Sequence, residues 1–223
     1  MGVTAEVRWF WTDVAVEQDL ENWFNILWDG ILPIGIGATP RVDAYLVDLN
    51  QPRLSIKRRS VNNSKSNNPA EFKGLVDPHF DSIESGIFAG TVELWSKWSA
   101  SLDLSPHSAV TVEKQRYMRR FRVDEEGGAI EYGLTDYERQ TGELRPPTEG
   151  CNIEFTRVKI PMLDCKAVTF AFESFGSITK VAGSLKATVR VVESRTPPVV
   201  PAGMEASYPV WLNRILSDNK VTM

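Results

Sequence analysis

The sequence predicts a mainly β fold of the α+β class. It reads as a mostly antiparallel sheet of eight or nine strands, closed on itself, with helices packed outside. Three observations lead there. Between two amphipathic helical stretches, nearly every segment alternates polar and apolar residues with period two. The connections between these segments are short, as antiparallel strands permit. One parity of the alternation is aromatic and aliphatic, so it forms the packed face. The other is charged, so it must point to bulk water or to a water-filled interior.

The elements follow in order. In the first strand Thr4, Glu6, Arg8 and Phe10 face one way, and Val3, Ala5, Val7, Trp9 and Trp11 the other. A helix is predicted over Val16 to Trp28, where Leu20, Trp23, Phe24 and Leu27 fall at helical spacing and Glu17, Asp19 and Glu21 enrich the first turn. Arg41 to Leu49 is a strand that alternates less cleanly. Arg53, Ser55, Lys57 and Arg59 share a face opposite Leu54 and Ile56. The polar run Val61 to Pro69 is a loop, and beyond it Glu71 and Lys73 flank Phe72. Glu93, Trp95 and Lys97 oppose Val92, Leu94 and Trp98, and Lys114, Arg116 and Arg120 share one parity of Val110 to Phe121. Asp124 to Gly128 is a second loop. Asn152, Glu154 and Thr156 oppose Ile153 and Phe155, and Ala171 and Glu173 oppose Phe170 and Phe172. Lys186, Thr188 and Arg190 alternate in a last strand, Leu185 to Val191. Thr196 to Pro201 ends regular structure, and Tyr208 to Leu216 is a short amphipathic helix with Pro209 in its first turn.

Composition narrows the classes. Of 223 residues, 42% are hydrophobic and 24% charged, which excludes general disorder, collagen and a disulfide-stapled miniprotein. A chain this long buries about 70% of its unfolded surface, so 1–223 is read as one domain, with 197–223 a tail and short helix. No apolar run approaches the ~18 residues of a membrane span. The start MGVTAEVRWF lacks a basic region followed by an apolar one, and Glu6 stands where a myristoylation signal needs Ser or Thr. A cytoplasmic location with no membrane partner is expected. A net charge of −4 lacks the global basic footprint of a nucleic-acid binder. Cys151 and Cys165 have neither zinc nor redox spacing and read as buried thiols, with a disulfide as the alternative. His79 and His107 are isolated and read as exposed loop residues, and Gly35-Ile-Gly37 reads as a turn. The seven tryptophans are read mainly as packing, except Trp95, whose parity places it with Lys97.

The charged face carries the functional signal. Alternating strands often have a simply solvated polar face, but here the sign pattern is uneven. The middle strands bring Lys57, Arg59, Lys73, Lys97, Lys114 and Arg116 to one face, although like charges on neighbouring strands repel. An acidic protein that gathers cations in this way is built to hold an anion. The first strand and two late strands add Glu6, Glu154 and Glu173. Cations beside carboxylates suit a polyphosphate with a divalent metal.

The ordered series Thr4-Ala-Glu6-Val-Arg8, Tyr45-Leu, Lys57-Arg58-Arg59, Glu71-Phe-Lys73, Lys97, Glu113-Lys114-Gln-Arg116, Glu154 and Glu173 resembles the CYTH superfamily, the triphosphate tunnel metalloenzymes, over about Val3 to Gly176. The resemblance implies a closed eight-stranded antiparallel β-barrel forming a tunnel. It implies that Lys57, Arg59, Lys73, Lys97, Lys114 and Arg116 bind a triphosphate. It further implies that Glu6, Glu154 and Glu173 hold Mg²⁺ or Mn²⁺, and that these three with Arg8 serve catalysis. Two positions depart from the family's E-x-E-x-K strand: Thr4 replaces a glutamate and Arg8 the lysine. Three functions are therefore carried forward. The first is a metal-dependent hydrolase of an inorganic or organic triphosphate. The second is a catalytically degenerate barrel for an anionic phosphorylated ligand. The third is a β-rich protein-interaction module.

Overall fold

A computed structural model describes residues 2–26, 28–35, 40–48, 50–60, 69–84, 86–101, 109–141 and 147–219. Leu27, Ile36, Gly37, Leu49, residues 61–68 of the polar run expected to form a loop, and His107 lie outside the described residues. The elements are β1 (Gly2–Trp11), α1 (Val14–Phe24), β2 (Arg41–Leu46), β3 (Leu54–Ser60), β4 (Ala70–Ile83), β5 (Gly90–Ala100), β6 (Ala109–Val123), β7 (Ala129–Tyr132), α2 (Asp136–Thr141), β8 (Gly150–Ile160), β9 (Cys165–Gly176), α3 (Val181–Glu193), β10 (Met204–Glu205) and α4 (Tyr208–Asp218).

Eight strands close an antiparallel barrel in the order β1-β5-β4-β3-β2-β6-β8-β9, and β9 returns to β1. β1 closes it because it pairs on both sides: Gly2 to Glu6 meet β5, and Val3 to Trp11 meet β9. Where β5 leaves β1, β10 takes over opposite Trp9 and Phe10. β7 is a hairpin partner of β6. Its turn is the Asp124–Gly128 loop, closed by the Gly128 amide donating to the Asp124 carboxylate at 2.6 Å. β4 is irregular opposite β5 between Leu75 and Asp81, around Pro78, which has no N–H to give the ladder.

The barrel's outer wall carries two cores. In the larger, α1 and α3 cover Val7, Trp9, Ile153, Phe155, Phe170 and Phe172. Asp13 caps α1 by accepting from the Ala15 amide at 2.8 Å. Buried Arg119 of β6 closes its other end, donating to the Phe24 carbonyl at 2.8 and 3.1 Å. Arg157 of β8 ties α1 down through Glu17, at 2.6 Å, and Glu21. In the smaller core α4 packs over Phe10, Val110, Val112, Val158 and Ile160. There Trp211 stacks on Phe10 with ring centroids 4.5 Å apart.

Several expectations change. Leu185 to Val191 belongs to helix α3, not to a strand. Val181, Ser184, Leu185, Thr188, Val189 and Val192 are its buried residues, a helical spacing that seven residues alone could not separate from alternation. α1 ends at Phe24, short of Trp28. His79 lies within β4 rather than in a loop, although it is exposed. Both cysteines are free, but only Cys151 is fully buried. Phe72 and Trp98 do face outward, yet they stack on each other at 5.5 Å and belong to neither helix-covered core. No helix among the described residues is long and apolar enough to cross a membrane.

Candidate functional site

The inward parity of the barrel strands lines one cavity of about 80 Å³. It brings together Lys57, Arg59, Lys73, Lys97, Lys114 and Arg116 with Glu6, Arg8, Glu154 and Glu173. Arg41, Tyr45, Ser55, Glu71, Trp95, Thr156, Ser207, Tyr208 and Pro209 complete the lining. Eight cations thus face four carboxylates, a formal excess of four positive charges inside a protein of net charge −4. Asp43, buried behind Arg41 and Lys114, lowers that excess by one.

Strand register decides which charges meet. Glu71 stands opposite Lys57 and serves three cations, Lys57 at 2.7 Å and Arg59 and Lys97 at 3.3 Å. Lys73 and Lys97 are direct neighbours across β4 and β5, so each needs its own counter-charge. Lys73 finds it in Glu6 at 2.9 Å and Glu173 at 2.7 Å. Glu6 stands between two further glutamates, Glu173 on β9 and Glu93 on β5. Arg8 lies between Glu6 at 2.9 Å and Glu154 at 3.3 Å, and donates to the Thr169 hydroxyl at 3.2 Å. Arg116 takes the other oxygen of Glu154 at 2.7 Å.

The ionisation of these groups follows from that wiring. Burial alone would raise Glu6, but Lys73 and Arg8 outweigh it and hold it well below the usual carboxylate range. Glu154 is held down in the same way, burial being outweighed by Arg116 and then Arg8. Burial pushes Lys57 down to about 8 against the pull of Glu71. Burial pushes Lys114 well below its ordinary value, with Asp43 at 3.4 Å opposing. Glu93 goes the other way: burial and then the nearby Glu6 push it up to about 7, and the Trp95 indole donates to it at 3.0 Å.

The resemblance requires Glu6, Glu154 and Glu173 to hold a divalent cation. Their donor set does not fit one in this arrangement. Both oxygens of Glu6 and both of Glu154 are engaged by Arg8, Lys73 or Arg116, and one of Glu173 by Lys73. Among the described residues no three His, Cys, Asp or Glu groups converge at metal-ligand spacing. Arg8, 4% exposed and 4.8 Å from the Tyr208 ring, fills the position between the two carboxylates.

The tunnel is asymmetric. At one end Ser207, Tyr208 and Pro209 of α4 line the cavity, and the Lys114 ammonium lies 3.5 Å from the Tyr208 ring centroid. At the other, a second cavity of about 750 Å³ shares Lys97, Arg116, Glu154 and Glu173 with the first. Met118, Asn152 and Phe175 also line it.

The site residues expected from the sequence do not include Arg41, Asp43, Glu71, Glu93, Thr156 or the start of α4. Glu71 and Glu93 had a signal, since each shares parity with a cation already assigned inward. The α4 residues had none, because docking of a distant helix brings them to the barrel.

No family model matches the chain, and no curated protein sequence matches it. Among solved structures, the PH1819 protein from Pyrococcus horikoshii OT3 is similar over 96% of this chain and 99% of that one, with 11% identity and a TM-score of 0.42.

Proposed function

We propose that the tunnel binds a polyphosphorylated small molecule, and that Arg8 takes the place a divalent cation would need. The observation behind this is the excess of cations over carboxylates around one enclosed cavity in an otherwise acidic protein. Holding like charges together is costly unless an anion joins them. Arg8, Arg41, Arg59 and Arg116 offer planar forks suited to phosphate, while Lys73, Lys97 and Lys114 act as point charges. In this reading the chain is a divergent relative of the triphosphate tunnel metalloenzymes. Its change to Arg8, with Thr4 in place of an acid, suits binding better than metal-assisted hydrolysis.

Thermal unfolding tests this. Tripolyphosphate at about 100 times its dissociation constant adds about 2.7 kcal/mol, or roughly 5–11 °C for a chain of this size. The shift is expected to persist in EDTA and to shrink with added salt. Orthophosphate at equal ionic strength should do much less, because it meets fewer cations at once. Equal shifts from both would indicate ionic screening. No shift from either would leave the interaction module. Release of orthophosphate in the presence of Mg²⁺ or Mn²⁺ would return the tunnel to the hydrolase reading.

A further inference from the structure

We infer that the end of the tunnel closed by α4 is a subsite for a terminal phosphoryl group, held by the hydroxyls of Ser207 and Thr156 beside Lys114 and Arg41. This rests on the reading of the tunnel as an anion site and gives the ligand a direction within it. Two buried hydroxyls carry it. Thr156 on β8 is 1% exposed and Ser207, at the N-terminus of α4, is 5% exposed. Both line the cavity, and neither side-chain oxygen has a hydrogen-bond partner among the described residues. A buried hydroxyl without a partner is costly, and near-complete pairing is the norm in folded proteins. Ser207 is the N-cap of an eleven-residue helix, yet its side chain makes no capping bond. It does not spend its hydroxyl on the helix.

Their surroundings say what they await. Thr156 stands opposite Thr169, whose hydroxyl already accepts from Arg8. The Arg8 carbonyl accepts from the Ala206 amide at 3.0 Å, which places Ser207 beside the same strand. Arg41 and Lys114 share a single carboxylate, Asp43, at 3.3 and 3.4 Å, and burial works against the charge on Lys114, so an anion seated beside the pair would hold that charge in place. Lys114 also donates to the Tyr45 hydroxyl at 2.5 Å. The group that fits is a compact anion with several acceptor oxygens and no donor. A terminal phosphoryl dianion has three such oxygens, enough for two hydroxyls and one ammonium. The N-terminal end of α4 favours the same sign of charge. The remainder of the ligand then runs past Lys73, Arg116 and Lys97 toward the larger cavity at the other end.

Calorimetric titration tests the subsite with linear tripolyphosphate, which has terminal phosphoryl groups, and cyclic trimetaphosphate, which has none. Wild type, Thr156→Val, Ser207→Ala and the double variant are compared. Each single variant is expected to bind tripolyphosphate roughly ten- to a hundredfold more weakly and the double variant about a hundredfold or more, while affinity for trimetaphosphate is kept. Its melting temperature without ligand is expected to be unchanged or slightly raised, because unpaired buried hydroxyls have been removed. Unchanged tripolyphosphate affinity in the double variant overturns the subsite while leaving anion binding in place. Equal losses for the linear and cyclic anions overturn the assignment to a terminal group. A loss with a melting point several degrees lower assigns the hydroxyls to folding and also overturns it. No binding of tripolyphosphate by wild type overturns both the subsite and the function on which it rests.

Discussion

Replacing Arg8 by Met tests the wiring of the tunnel directly. Arg8 is buried between Glu6 and Glu154, at 2.9 and 3.3 Å, and each of those carboxylates is itself almost fully buried. Removing one partner of a buried ion pair typically costs about 3–5 kcal/mol when the remaining charge is left without compensation, and here Lys73 on Glu6 and Arg116 on Glu154 keep the cost at the lower end of that range. For a chain of this size that corresponds to a melting point lower by roughly 10 °C at neutral pH. The pH dependence should change as well. In the wild type Glu6 and Glu154 titrate below their unfolded values, so their stabilisation is present at neutral pH and is lost as pH falls through the folded values. Without Arg8, desolvation gains weight and drives both carboxyls upward. The deficit of the variant is therefore expected to narrow as pH falls from 7 toward 4. The freed carboxylate oxygens are hard donors, so millimolar Mn²⁺ should recover part of the lost melting temperature in Arg8→Met and leave the wild type unmoved. Differential scanning fluorimetry over pH and Mn²⁺ concentration reads all three effects. An unchanged melting point, or equal stabilisation of both proteins by Mn²⁺, would refute the assignment of Arg8 as the resident counter-charge.

Two further perturbations follow from the same geometry. Glu93, raised to about 7 against its ordinary 4.5, holds a proton in the folded state that the unfolded chain releases near 4.5. That contribution is complete below pH 4.5 and is lost as pH rises through 7, so Glu93→Gln is expected to change little at pH 5. At pH 8 it should stabilise by an amount on the order of 3 kcal/mol; an equal effect at both pH values would contradict the shift. Trp211→Ala removes the ring that stacks on Phe10 and should cost about 3–5 kcal/mol. It should also weaken tripolyphosphate binding by unseating α4, and a melting point within about a degree of wild type would show that α4 is anchored elsewhere.

Much of the barrel is legible in the sequence because a strand exposes its two faces at strictly alternate positions. Lys57, Lys73, Lys97, Lys114 and Arg116 could each be assigned to the polar face by counting from an apolar neighbour. The closed barrel then turns that face inward and gathers them without further instruction. Parity cannot say which cation meets which acid, because that depends on register and side-chain reach. Glu71 holding three cations, and Arg8 lying between Glu6 and Glu154 rather than beside a metal, are outcomes of register. The α3 segment reads as a strand because Lys186, Thr188 and Arg190 satisfy period two over a window too short to expose period 3.6. Extending it to Val181 and Val192 supplies the missing contacts. The strand expected over Arg41 to Leu49 is present as β2, and its weak alternation has a cause of its own. Arg41, Asp43 and Tyr45 do alternate, but the apolar parity is Val42, Ala44 and Leu46, which are small or only half-buried.

The internal pairing also bears on selectivity. Each cation lining the tunnel is paired with at least one carboxylate, most of them shared: Glu71 by three cations, and Glu6, Glu154 and Asp43 by two each. Binding therefore exchanges one ion pair for another, and its net gain is a difference. A singly charged anion replaces one contact and gains little. In the proposed reading, a chain of phosphoryl groups would replace Glu71 for Lys57, Arg59 and Lys97 at once and would reach Arg41 and Lys114, both clusters in which cations outnumber carboxylates. In the same reading, the carboxylates inside the tunnel would act against weak anions more than against dense ones. They would reject by competition what the cations alone would accept, and a barrel lined with cations only would lose that discrimination.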